Sequence, residues 1–198
     1  MEAERPSGQV PLQPDLLTYL HRVVEAVSAS SVPYCIIGAV ALGAWGRPRA
    51  THDLDLLVLA DSRAIDGLTT SLSSCRIRIN EQWAEANPMT KGRVTRFASP
   101  EHPKYPLDII YAADSQERAT IERKRLTVVH GLSVWVASPE DLMLLKLKAG
   151  RPTDFDDVIG IVKNPHLHLD LPYLWQWADR LGLQGELHYV FQAASGGG

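Results

Sequence analysis

The chain has 198 residues, enough for one core of ordinary size with a small helical appendage. Apolar residues make up 45% and charged residues 22%, the balance of a globular protein, and no apolar run approaches the roughly 20 residues needed to span a bilayer. A net charge of −3 argues against a surface built broadly for nucleic acid, although it leaves room for a local basic groove.

The opening Met1-Glu-Ala-Glu-Arg-Pro6 is acidic and polar with no apolar stretch, unlike a secretory signal, so a cytoplasmic location is expected. Residues 1–14 contain Pro6, Pro11 and Pro14 and read as a loose lead-in. Asp15 is placed to cap a helix whose apolar face is Leu16, Leu17, Leu20, Val23, Val24 and Val27. Tyr34 to Ile37 reads as a short buried strand ending at Gly38, followed by a small-residue helix from Ala39 to about Trp45. Leu54 to Leu59 is the next strand, and Asp61 to Ser73 fits a helix. One or two short strands are expected between Arg76 and Phe97, and a further strand at Leu107 to Tyr111. A helix around Ser115 to Arg125 precedes strand-like Leu132 to Val136. Beyond Ser138-Pro-Glu-Asp, a helix start, three or four helices are expected and no strand. The sequence thus divides into a mixed α/β core, residues 15–137, and a helical region, residues 138–198. Cys35 and Cys75 lack metal-like spacing and read as buried or half-buried thiols.

The chemistry-bearing stretch runs from Gly38 to Val58. Residues two apart on a strand share a face, so Asp53 and Asp55 project together. Carboxylates so close repel each other, and a hard divalent cation with a preference for oxygen removes that repulsion. Asp-x-Asp alone also describes an ordinary solvated strand end. Its surroundings favour the metal site: a strand that feeds through Gly38 into a helix presents backbone N–H groups to an anion. Arg47, Arg49 and Thr51 lead back to the carboxylates, and Asp108 on a later strand can supply a third. Nucleophile motifs and a phosphate loop ending in Gly-Lys-Ser/Thr are absent. A basic face could form from Arg76, Arg78, Arg93, Arg96 and the stretch from Arg118 to Arg125.

Gly38-Ala39, Arg49-x-Thr51, Asp53-x-Asp55 and Leu107-Asp108-Ile109 together resemble the signature of the nucleotidyltransferase superfamily, with its polymerase-beta-like fold. A second segment, from Lys146 through Arg151 and Asp154 to Asp157, resembles the abortive-infection (AbiE-type) toxin-like nucleotidyltransferases. The resemblance implies an α/β nucleotidyltransferase fold, with a mixed central sheet flanked by helices and followed by a helical region. It implies two magnesium ions bridged by Asp53 and Asp55, with Asp108 on the ion nearer the acceptor, and a nucleoside triphosphate such as ATP as substrate. Gly38, Ala39, Arg47, Arg49, Thr51 and Lys146 would bind the triphosphate. Asp157 would serve as acid/base or as a site-ordering group, and Arg151 with Asp154 would hold two helices in register. The acceptor would be a tRNA 3′ end, a protein or a small molecule such as an antibiotic, and a cognate antitoxin would be the partner of a toxin. Ala39 stands where the family has serine or glycine, and alanine has no hydroxyl for a phosphate. That departure supports an alternative, a catalytically weak or inactive module that binds nucleotide or a partner protein.

Overall fold

The computed structural model describes residues 12–196, so most of the expected lead-in and the last two glycines lie outside the described residues. In chain order the elements are helix α1 (Pro14–Ala29), strand β1 (Tyr34–Ile37), α2 (Gly38–Ala44), β2 (Leu54–Val58) and α3 (Ser62–Ser74). There follow β3 (Arg78–Ile79), α4 (Glu81–Ala86), β4 (Val94–Ala98), β5 (Leu107–Tyr111), α5 (Ser115–Glu122), β6 (Arg125–Val129) and β7 (Leu132–Val136). Four helices complete the described chain: α6 (Pro139–Ala149), α7 (Pro152–Val162), α8 (Leu171–Leu181) and α9 (Gln184–Ser195).

Among the described residues, seven strands form one sheet in the order β3-β4-β5-β2-β1-β7-β6. The β2–β5 and β1–β7 pairs are parallel and the others antiparallel, so the sheet is mixed as expected. β2 lies near the centre, which explains its near-continuous apolar run: Leu54, Leu56, Leu57 and Val58 are fully buried. α1 covers the sheet with Leu16, Tyr19, Leu20, Val23 and Val27 at helical spacing. No helix of the described residues is long and apolar enough to cross a membrane.

Several boundaries differ from expectation. α1 starts at Pro14, whose fixed φ suits a first helical position, so Gln13 occupies the cap and Asp15 lies in the first turn. There the Asp15 carboxylate meets His102 Nδ1 at 2.6 Å. The helix expected to reach Arg125 stops at Glu122, and residues 125–129 form the edge strand β6. α4, only six residues long and capped by the Asn80 side chain on the Trp83 N–H, was not anticipated. Cys35 is buried and Cys75 partly so, and both are free thiols.

Candidate active site

Strand register builds the site. Ile37 pairs with Asp55, Asp55 with Asp108, and Asp108 with Arg96, so four side chains from β1, β2, β5 and β4 form one cross-sheet row. Directly paired residues project from the same face. The row, with Asp53 and Ile110, lines a cleft of about 550 Å³. The facing wall comes from α6 and the start of α7: Leu142, Leu145, Lys146, Ala149, Arg151 and Thr153.

Asp55 sits tightly under the turn from β1 into α2. Gly38 there has φ +68°, and a Cβ on it would lie 2.1 Å from Asp55 Oδ2. Glycine is therefore required twice, by the backbone angle and by the carboxylate. Burial, and then the negative charges of Asp53 and Asp108, push the Asp55 pKa up to about 7, while Arg151 and Lys146 pull in the other direction. Asp53 is oriented by Thr51, whose hydroxyl donates to its Oδ1 at 2.6 Å. Asp108 is not on an edge: β5 has β4 on one side and β2 on the other. Both its oxygens are engaged, by Arg96 Nε at 2.7 Å and Arg96 Nη2 at 2.7 Å. The same guanidinium lies 4.8 Å from the ring centroid of Trp83 on α4.

The opposite wall is cationic and internally braced. Lys146 Nζ donates to Asp154 at 3.1 Å and to Asp157 at 2.8 Å. Arg151 forks onto Asp154 at 2.7 and 3.2 Å. Burial works to raise Asp154, yet the bonds from Arg151 and Lys146 hold its pKa below the ordinary carboxylate value. Arg47 and Arg49 approach Asp157 at 3.6 and 3.4 Å. Two buried carboxylates thus organise four basic side chains, three of which, Arg49, Lys146 and Arg151, line the cleft.

Asp53 and Asp55 fit a hard divalent cation: both offer oxygen donors, and Asp55 sits where burial and neighbouring carboxylates disfavour its bare charge. Both oxygens of Asp108 already accept from Arg96, and no three acidic, histidine or cysteine side chains of the described residues stand as a finished metal cluster.

No family model matches the chain, and no curated protein matches it in sequence. Solved structures do. An antigenic nucleotidyltransferase-like protein from Paracoccidioides brasiliensis aligns with a TM-score of 0.54 at 21% identity, over 93% of this chain and 95% of its own. The antibiotic-resistance factor ANT(2'')-Ia aligns with a TM-score of 0.58 at 14% identity, over 88% and 97%. The lincosamide antibiotic adenylyltransferase LnuA, solved with lincomycin bound, aligns with a TM-score of 0.50 at 15% identity, over 77% and 98%. The fold is that of the nucleotidyltransferases. At these identities the likeness establishes the architecture and leaves the chemistry to the residues themselves.

Within this nucleotidyltransferase fold, Gly38, Arg49, Asp53, Asp55, Asp108 and Lys146 converge on one cleft. Four other expected site residues stand elsewhere. Thr51 braces Asp53 instead of lining the cleft. Arg47 lies against α7, where a Cβ on Gly160 would come within 1.9 Å of its side chain. Asp157 is buried and accepts from Lys146 at 2.8 Å instead of lining the cleft. Ala39 lines a small neighbouring pocket with Val40, Pro48, Arg49 and His130. Arg151, expected to hold helices in register, does brace Asp154 but also lines the cleft.

Several arginines of the expected basic face stand beside acidic side chains. Arg76 pairs with Glu101, Arg93 with Glu117, and Arg123 and Arg125 with Glu140. Arg96 instead faces the carboxylates, a placement that only the β4–β5 register reveals.

Proposed function

We propose that the protein is a magnesium-dependent nucleotidyltransferase that moves a nucleoside monophosphate from a nucleoside triphosphate to an acceptor hydroxyl and releases pyrophosphate. The observation that carries the reading is the cleft itself, with Asp53, Asp55 and Asp108 on the sheet facing Arg49, Lys146 and Arg151 on the helical side. Asp53 and Asp55 would hold the metal, which when bound neutralises charge on the phosphates and on the attacking oxygen.

The chain's own groups do the rest. Lys146 and Arg151, preset by Asp154 and Asp157, and Arg49 beside them offset the charge that develops on pyrophosphate. The acceptor oxygen bonds to the α-phosphorus as the bond to pyrophosphate breaks, and Asp108 receives the hydroxyl proton. The backbone at the Gly38 turn lies against Asp55, which brings phosphate and metal ligands together.

The acceptor is a hydroxyl of an RNA 3′ end, a protein or a small molecule; ANT(2'')-Ia, solved with adenylyl-2''-tobramycin, and LnuA, solved with lincomycin, are antibiotic-binding proteins of the same fold. A toxin role with a cognate antitoxin rests on the segment from Lys146 to Asp157 alone. The inactive-module alternative rests on Ala39, whose side chain lines the neighbouring pocket with Arg49 and has no hydroxyl for a phosphate.

The test is to incubate the protein with labelled triphosphates, magnesium and total cellular RNA, protein or small-molecule extract. Asp53→Asn and Asp55→Asn should each lower labelling by about 100-fold or more, since several kcal/mol of charge stabilisation depend on the metal. Unchanged labelling in either variant would overturn the assignment.

A further inference from the structure

Arg96 stands where a third metal ligand should be free. Its Nε and Nη2 donate to separate oxygens of Asp108, each at 2.7 Å, the two-point geometry in which guanidinium and carboxylate bind most strongly. Asp108 is directly opposite Asp55 in the parallel β2–β5 register. On its other side the guanidinium meets the Trp83 ring at 4.8 Å. Arg96 is therefore held between an indole face and the carboxylate, lining the cleft with 27% of its side chain exposed. The fork takes one acceptor site on each oxygen and leaves a second lone pair on each, so a cation arriving at Asp108 meets the guanidinium as a rival positive charge on the same carboxylate.

We propose that Arg96 is a positioning residue that competes with the divalent cation for Asp108. It holds the carboxylate in register while no cation is present, and it is displaced from Asp108 when a cation binds at Asp53 and Asp55. The inference rests on the reading that these carboxylates take a divalent cation. Two consequences follow. Metal affinity in the resting cleft is set below what three free carboxylates would give. Release of Arg96 also changes its stacking on Trp83, so the indole reports the exchange.

Manganese, titrated by calorimetry and by electron paramagnetic resonance into the full chain, is the probe. Arg96→Gln should bind manganese about tenfold more tightly, the order expected when one two-point charged pair no longer competes. Arg96→Lys retains the charge but cannot fork onto both oxygens, and it should recover most of that gain. In an Asp108→Asn background, the Arg96→Gln change should add nothing. Wild-type tryptophan emission should shift on manganese addition, and the shift should vanish in Trp83→Phe and in Arg96→Gln. Circular dichroism melts establish that each variant is folded.

If Arg96→Lys binds as wild type while Arg96→Gln binds more tightly, net charge alone explains the gain and the exchange is wrong. Equal affinity in wild type, Arg96→Gln and Arg96→Lys, with binding still abolished by Asp55→Asn, overturns the inference and leaves the nucleotidyltransferase reading standing. No manganese binding in any of these proteins overturns both.

Discussion

Asp55 is held where its own charge is disfavoured, and this has a measurable sign. Its ordinary pKa of 3.8 is pushed to about 7 by burial and by two neighbouring carboxylates. Below about pH 4 the carboxyl is protonated in folded and unfolded chains alike, so its burial carries no pH-dependent penalty. Between about pH 4 and 7 the unfolded chain ionises first, and stability falls as pH rises; above about 7 the penalty is constant, at most roughly 4 kcal/mol. In metal-free protein, Asp55→Asn should therefore unfold at higher urea than wild type at pH 8, with the difference vanishing near pH 4. A wild type more stable than Asp55→Asn at pH 8 without metal would refute the account. Gly38 makes the matching demand on the backbone. Gly38→Ala places a methyl at 2.1 Å from Asp55 Oδ2 on a residue with φ +68°. It should cost more than about 1 kcal/mol from the angle alone, and should weaken metal binding because Asp55 must move. Urea titration and manganese calorimetry on the one variant read both effects.

At the scale of elements, the α6–α7 pair is a cation holder built around two buried acids. Lys146 lies between Asp154 and Asp157, which are 1% and 4% exposed in their side chains. Lys146→Met would leave those carboxylates to Arg47, Arg49 and Arg151, and should destabilise the fold by about 3 kcal/mol, the low end for breaking a buried pair because partners remain. Asp157→Asn separates two roles. A site-ordering residue should raise KM for the triphosphate and leave the pH dependence of kcat unchanged; loss of a limb of the pH profile would instead mark an acid or base. This wall was partly legible in the sequence, through the family resemblance carried by Lys146, Arg151, Asp154 and Asp157 on either side of Gly150. β2 and β5 were legible too, because a central strand must be apolar except where function interrupts it. β6 was not, as its alternation is inverted: Leu126 and Val128 are exposed at 59% and 61% on a sheet edge. α4 is too short to show a period. Arg96 looked like one of many surface arginines, and only the antiparallel register of β4 on its successor β5 puts it on Asp108.

Across the whole molecule, the cleft has one wall from the sheet and the other from the helical tail, and a single apolar cluster runs through both. Leu142, Met143, Leu144 and Leu147 of α6, Val158 and Ile161 of α7, and Leu174, Leu187 and Val190 of α8 and α9 belong to the same core as Leu54, Leu56 and Leu57 of β2. Polar ties reinforce the join. Trp45 Nε1 donates to the Ala137 carbonyl at 2.9 Å, and the Asn164 amide donates to the Trp45 carbonyl at 2.7 Å. Arg123, between α5 and β6, faces Glu140 and Asp141 of α6 and lies 3.7 Å from the Tyr173 ring centroid on α8. The change of texture at Ala137, visible in the sequence as the end of strands, is therefore a change of secondary structure within one core. A chain ending at Ala137 should fail to fold cooperatively. Removing α6 alone uncovers four large apolar side chains' worth of contact, at roughly 1.5–3 kcal/mol each, against a net stability of about 5–15 kcal/mol for a whole domain. Expression of residues 1–137, followed by a thermal melt monitored by circular dichroism, decides the matter. A sharp cooperative transition in that fragment would show that the sheet stands alone, and the helical tail would then be a docked module that could move to open the cleft. A broad or absent transition would mean that the two walls form together, so that Lys146 and Arg151 are set opposite Asp53 and Asp55 by folding itself.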